Sequence, residues 1–217
     1  VAAYEAIGLQ YYEQDFTIKA KEYFNKSLDV SKEVNDTLGQ MNAFKGLLRV
    51  AYHKEDSVEL SREYAGYLEE LSVDSGNKMM QAYVLHHKGR ANKEDFELSI
   101  ERMKRALKLY EEAGKKESTN IVNRELGEAL LDTAPNEAFM YFQKNLELAE
   151  ELNYSEEIYL ARSNISSALI AMKQYEDARN FCERNIEIAK EANNQDFLAY
   201  NYLLIGISYK NEKSNEF

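Results

Sequence analysis

The chain repeats itself about every 40 residues, and this internal repeat limits its fold more than any other feature. The first copy carries Tyr4, Gly8, Ala20 and Phe24, and residues of similar size return at the same spacing throughout. The anchor positions are 4, 44, 83, 123, 162 and 202, in steps of 39 to 40 residues. A repeat of this length fits one pair of helices, so we expect a stack of similar units.

Each copy contains two stretches whose apolar residues fall on one face of a helix, separated by a short polar turn such as 13–15 or 173–177. One helical hairpin cannot cover its own apolar face, so neighbouring hairpins must stack. The predicted fold is all-α: a right-handed α-solenoid of antiparallel helix-turn-helix repeats, about five and a half in number. We expect one domain over 1–217, with repeats at 1–36, 37–76, 77–115, 116–154, 155–194 and a partial repeat at 195–217.

Small residues and helix ends recur in phase. Gly8, Gly127, Ser166 and Gly206 on the first helices indicate close helix contact, as do Ala20, Ala138 and Ala178 on the second helices. The second helices are followed by residues that tolerate the left-handed conformation closing a helix. These predicted caps are Asn35, Gly114, Asn153 and Asn193.

Composition excludes several classes of function. Asp and Glu number 38 against 27 Lys and Arg, a net charge of −11 that disfavours binding to nucleic acid. No stretch approaches the roughly 20 apolar residues of a membrane span. The chain begins with Val1 inside a helical pattern, so we expect a fragment of a longer protein whose true N-terminus is missing. We expect a cytoplasmic location.

The pattern resembles the tetratricopeptide repeat family over essentially the whole chain. The best match to that family's signature is Tyr4, Ile7, Gly8, Tyr11, Ala20 and Phe24, and others are Tyr175, Ala178, Tyr202, Ile205, Gly206 and Tyr209. The period of about 40 exceeds the family's usual 34, and the proline that usually ends a repeat is absent. These departures resemble the long-period sub-class found in kinesin light chains, MalT-like activators, Rap and PlcR regulators and sensor regions of bacterial histidine kinases. The third repeat matches worst, with His86 and His87 where Leu and Gly are expected.

Candidate chemical groups do not converge on a catalytic or metal site. His86 and His87 point about 100° apart on a helix and cannot share a metal, and His53 lies on another repeat. Cys182 occupies the position of Phe24 and is expected to be a buried apolar residue. No phosphate-binding loop or nucleophile motif occurs. We therefore expect neither an enzyme nor a cofactor or metal.

The resemblance implies that the first helices line a concave groove. The residues it assigns to the groove are Asn42, Lys45, Arg49, Tyr52, Gln81, Lys88, Asn92, Arg124, Glu128, Ser163, Asn164 and Ser167. Four cations in that set oppose the net charge of the protein, which indicates a ligand with carboxylate or other anionic groups. The alternative is that these long side chains only solvate the groove. A carboxylate clamp of the chaperone-binding type is not supported, because Leu85 stands where an Asn is required.

The predicted function is binding of a peptide or protein segment, by the sensory or scaffolding region of a larger bacterial regulatory or signalling protein. The alternative is a structural segment that mediates oligomerisation through its end helices. The last helix is apolar at nearly every angle between 197 and 209. Such a surface predicts further repeats in a longer chain, or self-association through residues 197–209.

Overall fold

The computed structural model describes residues 1–55, 57–91 and 95–214. Within those ranges, 86% of residues are helical and no strand occurs, which confirms the predicted all-α class. The helices of the described residues are α1 (Ala2–Glu13), α2 (Thr17–Glu33), α3 (Thr37–His53), α4 (Val58–Asp74), α5 (Lys78–Ala91), α6 (Phe96–Glu112), α7 (Lys116–Leu130), α8 (Pro135–Leu152), α9 (Ser155–Ala171), α10 (Tyr175–Glu191) and α11 (Gln195–Ser214).

The helices alternate between a first and a second helix of a hairpin. Consecutive helices pack on each other from α1 to α5 and from α7 to α11. The chain divides into two compact units, Val1–Leu109 and Tyr110–Phe217. Each unit is described here by itself. A single domain over 1–217 stays a prediction.

Each unit has its own apolar core along the helix interfaces. In unit 1 the fully buried side chains include Phe24, Leu47 and Leu68. In unit 2 they include Leu126 and Phe142. These positions belong to the apolar stripes read from the sequence, so periodicity alone identifies most of the core.

Backbone conformation at the helix ends follows the predicted caps. Asn35, Asn153 and Asn193 have φ between 51° and 57°, and Gly114 has φ of 64°, so all four residues are left-handed as predicted. Asp15 and Lys173 adopt the same conformation in the turns between helices of one hairpin, which the sequence did not indicate. The turn predicted at 173–177 is shorter than expected, because α10 already begins at Tyr175.

Large and small residues meet where the two helices of a hairpin cross. A Cβ added to Gly8 would lie 2.8 Å from the Phe24 ring, and one added to Gly127 would lie 2.5 Å from the Phe142 ring. These two predicted close contacts are confirmed. Gly206 is different, because a Cβ added there meets nothing within 4 Å. The close helix contact predicted at Gly206 has no counterpart among the described residues and stays a prediction.

The third hairpin has a different register from the one predicted. Gly89, not His87, meets the second helix, since an added Cβ would lie 2.6 Å from Cγ of Met103. Gly89 is the twelfth residue of α5, as Gly127 is of α7. Residues equivalent to those of α3 therefore lie two positions later in α5 than expected.

No helix in the described part of the chain is both long enough and apolar enough to cross a membrane.

Candidate functional site

Two cations on α3 lie on tyrosine rings of the neighbouring first helices in unit 1. The Arg49 guanidinium carbon is 4.5 Å from the centre of the Tyr12 ring on α1. The Lys45 Nζ is 4.9 Å from the centre of the Tyr83 ring on α5. Aromatic faces attract cations, so each ring holds its partner in one position. Among the described residues, neither Lys45 nor Arg49 makes a hydrogen bond or an ion pair.

Arg90 repeats the arrangement of Arg49 one hairpin further along. Its guanidinium carbon is 5.2 Å from the centre of the Tyr52 ring. Arg49 and Arg90 are each the thirteenth residue of their helix, and each lies on a tyrosine of the preceding first helix. We call these six residues the cation–tyrosine row: Tyr12, Lys45, Arg49, Tyr52, Tyr83 and Arg90.

The charges of the row are only partly solvated. Burial lowers the pKa of Lys45 below its ordinary value, and the nearby charge of Arg49 lowers it further. The Glu5 carboxylate opposes this shift but does not cancel it. The same Glu5 accepts a hydrogen bond from Nδ2 of Asn42 at 3.3 Å. Asn42, Lys45 and Arg49 therefore form one neighbourhood on the face shared by α1 and α3, and it carries more positive than negative charge.

Other predicted residues of unit 1 lie elsewhere. Nζ of Lys88 forms an ion pair with Glu69 of α4. Lys88 also lines a cavity of about 460 Å3 bounded by α4, the end of α5 and the start of α6. Arg62 and Arg102 line the same cavity. Nε2 of Gln81 donates to the backbone oxygen of Ser72 at 2.9 Å. The assignment of Gln81 and Lys88 to a groove stays a prediction. Asn92 lies outside the described residues.

His53 and His87 belong to an aromatic cluster of unit 1. The His87 ring is 4.8 Å from the Tyr52 ring and 6.3 Å from the His53 ring, centre to centre. His87 is buried and His53 is exposed. No group of three possible metal-ligating side chains occurs in the described ranges. The cluster therefore supports Tyr52 by packing.

Arg124 in unit 2 is compensated, unlike the cations of the row. Its Nε is 3.0 Å from Oε1 of Glu157, and its Nη1 is 3.0 Å from Oε1 of Glu128. Burial alone would lower the pKa of Arg124, but these carboxylates outweigh it and raise that pKa. Oε1 of Glu157 also accepts from Nδ2 of Asn145 at 3.1 Å. This network leaves Arg124 and Glu128 occupied with each other.

The predicted residues on α9 are mostly turned inward. Ser163 is buried, and its backbone oxygen accepts from Oγ of Ser167 at 3.1 Å. Nδ2 of Asn164 is buried and has no hydrogen-bond partner among the described residues. Ser163, Asn164 and Ser167 belong to unit 2.

Sequence reasoning missed Tyr12, Tyr83 and Arg90. The tyrosines resembled core residues because they occupy repeat positions, yet each is only half-buried. Arg90 was missed because the third repeat was aligned on His87. Gly89 was the available signal, since aligning it with Gly127 brings Arg90 level with Arg49.

Comparisons with known proteins agree with this architecture. The family model described as Tetratricopeptide repeat matches residues 160–198. No curated protein matches the chain.

Two solved structures share the fold. One is a Signal Transduction ATPase with Numerous Domains, with a tetratricopeptide repeat sensor, from Pyrococcus horikoshii. It has 20% sequence identity and a TM-score of 0.77 over 96% of this chain. The chain spans only 34% of that protein. The other is RapI in its apo form, with 17% identity and a TM-score of 0.66, over 98% of this chain and 83% of RapI.

Proposed function

We propose that this chain, which is a tetratricopeptide repeat protein, binds an acidic peptide or protein segment along the cation–tyrosine row. The observation that carries the proposal is the pair Lys45 and Arg49, two neighbouring cations that form no ion pair among the described residues, although the Glu5 carboxylate lies near enough to attract Lys45. A repeat domain of this kind acts by binding and not by catalysis. We infer a sensory or scaffolding role in a larger regulatory or signalling protein.

Electrostatics favour an anionic ligand at this position. Burial lowers the pKa of Lys45 and the nearby charge of Arg49 lowers it further, so the charged form of Lys45 is less stable than that of a lysine in water. A ligand carboxylate would relieve the repulsion and accept charge-assisted hydrogen bonds. Lys88 and Arg124, by contrast, already have carboxylate partners. The row is therefore a place in unit 1 where added negative charge is favourable.

The tyrosines give the row direction and rigidity. Since each of the Tyr12, Tyr52 and Tyr83 rings holds a cation of the row, the ligand need not order those long side chains when it binds. The half-buried rings also offer apolar surface to residues between the ligand's acidic groups. An extended segment with acidic residues separated by apolar ones fits this alternation.

A fluorescent 12-residue peptide of alternating Glu and Leu tests the proposal, with a Gln and Leu peptide of equal length for comparison. We expect the acidic peptide to bind more tightly, with affinity that falls as salt rises. The Lys45→Glu/Arg49→Glu variant should lose about tenfold or more in affinity, because charge-assisted hydrogen bonds contribute roughly 1.5–3 kcal/mol each. Fluorescence anisotropy measures both.

The matched control is Arg105→Glu/Lys108→Glu on the exposed side of α6, which changes the net charge equally. Binding in this control should stay near that of the unmodified protein. Equal losses in the two double variants would mean that only overall charge matters, and the row would not be the binding site.

The second candidate function is assembly of copies through α11. The observation that favours it is the exposed apolar surface of that helix, including Tyr202 and Leu203. Sedimentation equilibrium at micromolar concentration, with Tyr202→Glu for comparison, distinguishes the two candidates. A monomer in both cases would contradict assembly through residues 197–209.

A further inference from the structure

A cavity of about 460 Å3 lies in unit 1 where the start of α4, the end of α5 and the start of α6 meet. Its walls carry three cations, Arg62, Lys88 and Arg102, and one carboxylate, Asp95. This cationic lining opposes the net charge of the protein, which is −11. Pockets that hold small organic molecules have volumes of about 300–1,000 Å3. The cavity is therefore large enough for such a ligand.

Two of the four charged groups already have partners within the protein. Nζ of Lys88 pairs with Glu69. Oδ1 of Asp95 accepts a hydrogen bond of 3.0 Å from a backbone N–H and so caps the first turn of α6. Arg62 and Arg102 differ from them, because neither makes a hydrogen bond or an ion pair among the described residues. The two guanidinium groups are therefore available to a ligand.

Arg62 occupies a position at which other hairpins form an ion pair. The fifth residue of the second helix is a cation in three hairpins, and the other two are Lys21 and Arg179. Lys21 pairs with Glu55, just after α3, at 2.9 Å. Arg179 donates two hydrogen bonds, of 2.8 and 3.2 Å, to Glu212 of α11. In both hairpins the carboxylate comes from the end of the following first helix.

The first helix that follows Arg62 is α5, and it contains neither Asp nor Glu. The residues that α5 contributes to the cavity are His87, Lys88 and Ala91. Arg62 therefore borders a cavity where its two equivalents meet a carboxylate. An anionic group of a ligand would take the place of that carboxylate and accept charge-assisted hydrogen bonds from the guanidinium.

Ser61 adds a polar group to the same wall of the cavity. It is 5% exposed, and its Oγ has no hydrogen-bond partner among the described residues. The two hairpins with paired cations have Ala20 and Ala178 at this fourth position of the second helix. Ser99, the equivalent residue of α6, donates to a backbone oxygen of α5 at 2.6 Å. A buried hydroxyl without a partner is unfavourable, so an acceptor oxygen on a ligand would stabilise Ser61.

We propose that this cavity binds a small organic phosphate, whose phosphate group is held by Arg62, Arg102 and Ser61. A phosphate monoester has a charge of about −1.5 to −2 at pH 7 and three acceptor oxygens. These match two unpaired guanidinium groups and one hydroxyl, whereas a single carboxylate would leave one arginine uncompensated. The side chains of Ala65 and Leu98 also line the cavity and offer apolar contact to the organic part of the ligand. The proposal does not rest on peptide binding at the cation–tyrosine row.

Isothermal titration calorimetry of the whole protein at pH 7.5 tests the proposal with four probes. Phenyl phosphate should bind saturably at one site. Benzoate should bind at least about tenfold more weakly, because it lacks the second charge and the third oxygen. Inorganic phosphate should also be at least about tenfold weaker, because it lacks the apolar ring. Phenol, which has the ring but no phosphate, should show no binding.

Variants assign the binding to this cavity. Arg62→Gln and Arg102→Gln, on two different helices, should each weaken phenyl phosphate binding about tenfold or more, since each removes a charge-assisted hydrogen bond. Ser61→Ala should weaken it about fivefold and restores the residue found in other hairpins. Arg105→Gln is the matched control, because it makes the same charge change at an exposed position of α6. It should bind phenyl phosphate as the unmodified protein does, and circular dichroism melts show that each variant is folded.

Several results would overturn the proposal. Absence of phenyl phosphate binding would do so directly. Equal affinity for benzoate would replace the phosphate with a carboxylate, and equal affinity for inorganic phosphate would leave an anion site without an organic ligand. Equal losses in Arg62→Gln and Arg105→Gln would mean that only overall charge matters. Binding that survives both Arg62→Gln and Arg102→Gln would place the ligand elsewhere on the protein.

Discussion

Adding one methyl group at Gly127 or at Gly206 should change stability in opposite directions. Both residues lie inside helices, where Ala is favoured over Gly by roughly 0.5–1 kcal/mol. At Gly206 the new Cβ meets no atom within 4 Å, so Gly206→Ala should gain that amount. At Gly127 it would lie 2.5, 2.6 and 2.9 Å from three atoms of the Phe142 ring. That ring is completely buried and cannot move aside without disturbing α7 and α8.

Overpacking of this kind typically costs about 1–3 kcal/mol. Helix propensity contributes equally to both variants, so their difference in free energy of unfolding should equal the overpacking cost. Since 1 kcal/mol shifts Tm by roughly 2–4 °C in a chain of this size, the Tm values should differ by at least about 2 °C. Thermal melts followed by circular dichroism measure this difference. Hydrogen exchange of α7 and α11 separates a local effect from a global one. Equal stability of the two variants would refute the claimed contact between Gly127 and Phe142.

Two further predictions concern titratable groups. Burial lowers the pKa of Lys45 below the ordinary 10.5, so binding of the acidic peptide should weaken as pH rises through that lowered pKa. The Lys45→Arg variant should keep its affinity over the same pH range. Anisotropy titrations that show parallel pH profiles for the two proteins would contradict this. Burial raises the pKa of the Cys182 thiol, although a hydrogen bond with Ser166 opposes the shift. Cys182 should therefore resist a thiol reagent at pH 8 until denaturant is added. Rapid labelling of the folded protein would contradict the burial of this thiol.

The sequence was sufficient for the features that depend on neighbouring residues. Apolar periodicity predicted the helices, and Asn35, Asn153 and Asn193 marked helix ends that the structure confirms. The first copy also identified the contact of Gly8 with the second helix correctly. These features are local, because a helix end or an amphipathic face is specified within a few residues of chain.

The sequence was insufficient where helix positions in one repeat had to be matched to the equivalent positions in another repeat. The residues of α5 lie two positions later than expected, so Arg90 and not Lys88 is equivalent to Arg49, and Lys88 pairs with Glu69. On a helix, two residues correspond to about 200° of rotation, enough to turn a side chain to the opposite side. Gly89 was present in the sequence as a signal, and its contact with Met103 confirms it as the residue equivalent to Gly127.

The sequence by itself determined the helices, their ends and the small residues Gly8 and Gly127 that meet a neighbouring helix. The tertiary structure decided which charges are compensated. Arg124 and Lys45 are equivalent in sequence, yet Arg124 meets Glu157 from the next first helix while Lys45 meets the ring of Tyr83. These partners lie 33 and 38 residues away along the chain. Only packing brings them together, because the strength of an ionic interaction depends on distance and burial in space and not on separation in sequence.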